Sequence, residues 1–255
     1  MNRIAQVFAK TRVLLPVIHP TKGRDGALAA VRIARDGGAD GVFLIDQGMS
    51  ERELLALVGE VRTLYPGWWI GLNLLSHEPA DALKAALDTC GAIDGIWSDN
   101  AGVDERAGAQ PRADRLVTAR RERGWNGLYF GGVAFKYQRE VSATDLPRAT
   151  ELASSYMDVI CTSGPGTGHA ADPSKVTAMR SGVSADVAIS LASGVTVDNV
   201  HAYLPYVDAY LVGTGIEHEV GVLNPAAVTA LARAIHAFGW SAISRRRLTS
   251  FGDPQ

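Results

Sequence analysis

A chain of 255 residues with 47% hydrophobic and 20% charged residues has an ordinary globular balance and enough apolar side chains for a large core. Its net charge of −2 gives no electrostatic basis for binding nucleic acid or an anionic membrane surface. Two cysteines, Cys90 and Cys161, make no disulfide framework, and neither a leader pattern nor a long apolar span is present, so a soluble cytoplasmic protein without membrane insertion is expected.

In chain order, short apolar runs alternate with segments of helical periodicity. The first run, 13–18 (VLLPVI), is followed by His19, Thr21 and Lys22, then by a helix over 27–36 that stops at Gly37-Gly38. The second, 41–45 (GVFLI), ends at Asp46 and Gln47. A capping box, Ser50-Glu51-Arg52-Glu53, then opens a helix over 50–65 with Leu54, Leu57, Val58, Val61 and Leu64 on one stripe. The third run, 69–72, ends at Asn73, and the fourth, 95–97, at Ser98, Asp99 and Asn100, with a helix over 80–89 between them. A helix over 114–123 leads to the fifth run, 127–130, beyond which lie Lys136 and Tyr137. After a helix over 144–155, the sixth run, 159–161, enters Thr162-Ser163-Gly164-Pro165-Gly166-Thr167-Gly168-His169. A helix over 172–179 precedes the seventh run, 187–191, which ends in Ala192-Ser193-Gly194-Val195-Thr196. A helix over 199–204 precedes the eighth, 209–212, which ends in Gly213-Thr214-Gly215-Ile216, and a helix over 225–238 follows.

The runs recur mostly every 25 to 33 residues, shortening to about 22 at the last step. Eight strands alternating with helices predict a parallel sheet wrapped by helices, a single (β/α)8 TIM barrel over residues 1–240 with a C-terminal tail at 241–255. No Gly-x-Gly-x-x-Gly follows the first strand, as the rival doubly wound sheet would favour. A small-Asp-apolar step leads into several strands (Ala39-Asp40-Gly41, Ile93-Asp94-Gly95, Met157-Asp158-Val159, Val207-Asp208-Ala209), as expected of one βα unit used repeatedly.

In such a barrel the polar residues at the C-terminal strand ends face the active site. The glycine- and hydroxyl-bearing ends of strands 7 and 8 offer backbone N–H groups that a phosphate can approach closely, so Ser193, Gly194, Gly213 and Thr214 are expected to hold one. Asn73, Thr162, Ser163, Gly166 and Thr167 complete the expected substrate-binding set, the strand 6 loop acting as an anion nest or lid. Asp46, Asp99 and His19 are candidate acids and bases, and Lys136 would stabilise a developing oxyanion. The same residues have plainer roles open to them: Asp46 and Asp99 as helix caps, His19 as a buried histidine bonded to backbone, Lys136 as an ion-pair partner of Asp99. A divalent ion such as Mg2+ could sit between Asp46 and Asp99, although the spacing does not demand a metal. These residues predict an enzyme acting on a small phosphorylated, sugar-phosphate or phosphoribosyl-type substrate by isomerase, lyase or transferase chemistry. The rivals are a Schiff-base aldolase using Lys136 and a non-catalytic assembly barrel. A homo-oligomer is compatible with this fold, but no patch in the sequence marks an interface.

The segments Thr162 to Gly168 followed by Asp172, Ala192 to Val200, Val207 to Ile216 and Asn224-Pro225, with Ile18-His19-Pro20 and Val133-Ala134-Phe135-Lys136, resemble the BtpA family. The resemblance covers most of the chain and is strongest after residue 155. It implies a TIM barrel related to the ribulose-phosphate-binding barrels and an association, for some members, with photosystem I biogenesis. The chain departs from that pattern at Pro20-Thr21-Lys22-Gly23 and at Asp46-Gln47-Gly48. Its first strand also lacks the catalytic cysteine of the barrels that isomerise phosphoribosyl compounds.

Overall fold

Eight parallel strands close on themselves in strict chain order. They are β1 (Val13–Ile18), β2 (Gly41–Ile45), β3 (Trp69–Asn73), β4 (Gly95–Ser98), β5 (Leu128–Gly132), β6 (Val159–Ser163), β7 (Ala188–Ala192) and β8 (Ala209–Val212). β8 returns to pair with β1 over four register positions, from Val13 opposite Ala209 to Pro16 opposite Val212. The computed structural model describes residues 1–249, with side chains to residue 238; the expected division at residue 240 into barrel and tail lies outside the described side chains. The protein is a single (β/α)8 TIM barrel.

Helices α2 (Gly23–Asp36), α3 (Glu51–Leu64), α4 (Pro79–Cys90), α5 (Pro111–Glu122), α6 (Leu146–Ala153), α7 (Pro173–Ser181) and α8 (Pro225–Thr249) ring the sheet. The capping box at Ser50 forms as predicted: Glu53 N–H donates to the serine hydroxyl while the Glu53 carboxylate accepts from Ser50 N–H. Two helical elements differ from expectation. The helix expected over 199–204 is a single 3-10 turn, Val200–Ala202, because Asn199 is held by its side chain in the preceding turn. An unforeseen helix, α1 (Arg3–Phe8), plugs the N-terminal end of the barrel, with Ile4 fully buried and the Phe8 ring 5.5 Å from Trp69.

Both faces of every strand are buried, as expected when helices cover a parallel sheet. Inward side chains are bulky on β2 to β5 (Phe43, Trp69, Trp97, Phe130) and small on β7 and β8 (Ala188, Ala192, Ala209). Phe43 meets Trp69, Trp97 and Phe130 edge-on with centroids 5.1 to 5.6 Å apart. Gly71 and Gly95 make room for these rings; a Cβ on Gly71 would lie 2.3 Å from the Phe43 ring. Truncating such a ring to alanine costs about 3–5 kcal/mol.

The aspartates of the repeated sequence step occupy the opposite end from the site. Asp40, Asp94, Asp158 and Asp208 each donate a backbone N–H to, and accept a backbone N–H from, the second residue of the preceding strand: Leu14, Ile70, Tyr129 and Ile189. Each carboxylate also meets a basic side chain from the helix that precedes that strand around the ring, namely His236, Arg62, Arg120 and Arg180. The sequence repetition therefore reports a unit of two strands, with a clamp in each of the pairs β1–β2, β3–β4, β5–β6 and β7–β8.

Candidate active site

The C-terminal mouth of the barrel holds a cavity of about 320 Å³. Its floor is the uppermost inward layer, Val17, Ile45, Trp97 and Leu211, and its polar wall is His19, Gln47, Asp99, Lys136, Thr167, Ser193 and Thr214, with Gly213. The period-two alternation of a strand decides which predicted residues reach it. Asp99 stands two positions beyond inward Trp97 and His19 two beyond Val17, so both point in. Asp46 follows inward Ile45, does not line the cavity, and its carboxylate accepts the Leu75 N–H at 2.9 Å. Gln47, the next residue, takes the inward place.

Thr162 and Ser163 do not line the cavity either; they hold the loop that presents Lys136. Thr162 donates to Ala134 O, and Ser163 Oγ accepts the Lys136 N–H at 2.8 Å. The half-buried Lys175 ammonium donates to Ala134 O and to Ser163 O, and desolvation pushes its pKa down to about 8. Ala134 and Tyr137 both adopt left-handed φ (48° and 59°), so the loop that carries Lys136 is a tightly specified turn. Lys136 Nζ lies 3.2 Å from Thr167 Oγ1 and 3.4 Å from Ser193 Oγ, reaching from the β5 loop to the ends of β6 and β7. Among the described residues it makes no ion pair with Asp99.

Asp99 accepts from Asn73 Nδ2 at 3.2 Å, which gives Asn73 its place beneath the site. Burial raises the Asp99 pKa above the ordinary carboxyl value, against the opposing influence of the Lys136 charge and the Asn73 hydrogen bond. His19 is oriented by a residue that sequence reasoning missed: its Nδ1 lies 2.9 Å from Oε1 of Glu217. Glu217 opens a small antiparallel hairpin, β9 (Glu217–Glu219) and β10 (Val222–Leu223), which folds back beside the β1 end. Among the described residues, no group of three or more His, Cys, Asp or Glu side chains could hold a metal ion, and Asp46 and Asp99 are not gathered into one site.

The glycine-bearing ends of β7 and β8 pack against one another. A Cβ on Gly215 would lie 1.8 Å from Val195 O. Ser193 and Gly194 are successively left-handed (φ 71° and 69°), and Asn199 staples this turn through Gly194 O and Thr196 N–H. Ser193, Gly213 and Thr214 line the cavity. Gly194 does not: its Cα is covered by the β6 loop, with His169 O 2.3 Å from where a Cβ would stand. Gly166 sits in that loop near His169 and the Tyr137 hydroxyl rather than on the cavity wall.

No family model and no curated protein sequence matches the chain. Solved structures do. A phosphoribosyl anthranilate isomerase from Thermus thermophilus superimposes with a TM-score of 0.60 at 14% identity, covering 91% of this chain and 99% of the other. Mycobacterium tuberculosis tryptophan synthase gives a TM-score of 0.65 at 15% identity over 92% of this chain and 98% of that one. A phosphoribosyl anthranilate isomerase in complex with reduced 1-(o-carboxyphenylamino)-1-deoxyribulose 5-phosphate gives 0.59 at 15% identity, covering 89% and 99%. At this identity the likeness is one of fold, a (β/α)8 barrel. No helix among the described residues is long and apolar enough to cross a membrane.

Proposed function

We propose that the protein is an enzyme that moves a proton on a small phosphorylated substrate of the sugar-phosphate or phosphoribosyl type, as an isomerase or lyase. The observation that carries this is the convergence of His19, Asp99 and Lys136 on one cavity whose remaining polar wall is the β7 and β8 ends. The phosphate is held by Ser193, Gly213 and Thr214, with the Lys136 ammonium beside Ser193 to balance its charge. His19 takes a proton from the substrate, and Asp99, whose raised pKa favours the protonated form, supplies one at the other end of the reacting unit. A cavity of about 320 Å³ suits a small ligand. Two further lines of support are the solved neighbour that binds a deoxyribulose 5-phosphate derivative and the resemblance of the β6 to β8 segments to the BtpA family.

The test is a thermal-shift panel of pentose phosphates and phosphoribosyl compounds, each beside its dephosphorylated form, followed by NMR detection of substrate C–H exchange in D2O. A ligand at 100 times its Kd adds about 2.7 kcal/mol of stability. If no phosphorylated compound stabilises the protein more than its dephosphorylated form, the reading fails.

A further inference from the structure

Building on the reading of His19 as the base, we infer that Glu217 is its positioning residue. Glu217 fixes the imidazole hydrogen on Nδ1 and so reserves the Nε2 lone pair for the substrate. The contact is close and dry: Nδ1 to Oε1 is 2.9 Å, and the side chains of His19 and Glu217 are 11% and 3% exposed. The same Oε1 accepts the Gly221 N–H at 3.0 Å. The Gly221 N–H marks Oε1 as an acceptor, and an Nδ1–H on His19 supplies its second donor. Glu217 Oε2 is buried without a partner among the described residues.

The hairpin is fastened so that this arrangement persists. Thr21 Oγ1 donates to Val220 O at 2.9 Å, and Lys22 pairs with Glu219 at 3.1 Å, so two contacts join the loop after β1 to the hairpin after β8. Gly221, at φ 86°, brings its N–H to the carboxylate while its Cα abuts Thr21. Glu217 does not line the cavity, whereas His19 does, so the carboxylate reaches substrate only through the imidazole.

In the reaction, Nε2 takes a proton from a substrate C–H or O–H, and the electron pair of that bond stays on the substrate. The imidazole becomes imidazolium with its Nδ1–H still donated to Glu217, whose Oε1 faces the new positive charge. Nε2 later returns the proton to the substrate as Asp99 takes one back from it, and the ring is neutral again.

The experiment is long-range 1H–15N NMR of the uniformly 15N-labelled full chain, with the His19 signals identified among the six histidines by their loss in His19→Gln. In the wild type above the imidazole pKa, His19 should show a pyrrole-like Nδ1 and a pyridine-like Nε2. In Glu217→Ala, with the other histidine signals in place, the Nδ1–H form should fall from nearly all to an even mixture or less. A wild-type His19 with its hydrogen on Nε2 overturns the inference, even if the alanine variant does not fold. So does an unchanged tautomer in folded Glu217→Ala. Neither readout uses a substrate, so the inference and the catalytic reading can fail separately.

Discussion

Gly213 and His19 touch so closely that a Cβ on the glycine would lie 2.6 Å from Cε1 of the imidazole. The β8 end therefore forms the back wall of the ring whose Nδ1 is held by Glu217, leaving the ring open on its cavity side. Gly213→Ala should cost about 1–3 kcal/mol by overpacking, read by chemical denaturation. In the His19→Ala background the same substitution should cost far less, giving a coupling of about 0.5–3 kcal/mol in a double-mutant cycle. Additive losses would mean that the contact does not constrain His19.

Lys136 stands between Thr167 and Ser193, where an anion would sit. Lys136→Met should remove the advantage of phosphorylated over dephosphorylated ligands in thermal shift, a loss of up to about 2.7 kcal/mol at 100 times Kd. Borohydride with carbonyl substrates should leave no adduct on Lys136; an adduct would favour the aldolase.

Ser193 adopts φ 71° and lines the cavity through a turn stapled by Asn199. Ser193→Gly removes the hydroxyl while keeping the backbone, trading left-handed strain for chain entropy, so stability should change by less than about 1 kcal/mol. Affinity for a phosphorylated ligand, measured by calorimetry, should nevertheless fall severalfold.

Burial raises the Asp99 pKa, while Lys136 and Asn73 oppose that rise. Asn73→Leu should therefore raise it further, seen in the carboxyl 13C titration. Because the folded chain holds this proton more tightly than the unfolded chain, ionised Asp99 destabilises the fold above its folded pKa. That cost disappears as pH falls through the folded pKa toward the ordinary value near 3.8. Asp99→Asn should accordingly raise Tm at neutral pH while abolishing turnover, and its advantage should shrink on acidification.

Asp158 clamps β5 to β6 with its carboxylate 2.8 Å from the Tyr129 nitrogen and 2.8 Å from Arg120. Asp158→Ala should cost about 2–4 kcal/mol by denaturation. Because the clamp lies at the opposite end of the barrel from the cavity, the ligand-induced shift should be unchanged.

The strand count was legible because parallel strands covered on both faces read as continuous apolar runs. That continuity also hid the facing of the strand ends. GVFLI carries no alternation, so whether Asp46 or Gln47 faces in depends on Ile45 packing inward, which the sequence does not mark. Thr162 and Ser163 followed the same pattern: their hydroxyls secure a neighbouring loop rather than the cavity wall. Glu217 went unseen because its segment, Glu217-His218-Glu219, is too short and polar to register as a strand. Its value to His19 comes from a contact spanning 198 positions.

The four aspartate clamps give the barrel a grain. Seams run between β2 and β3, β4 and β5, and β6 and β7, where the ladder continues but no clamp crosses. A chain divided at a seam keeps each aspartate with the strand it clamps, the contact of His236 with Asp40 spanning the cut, whereas a cut inside a pair severs a clamp. The loop that follows β4 is thus the natural place to divide this protein into two halves and reassemble them.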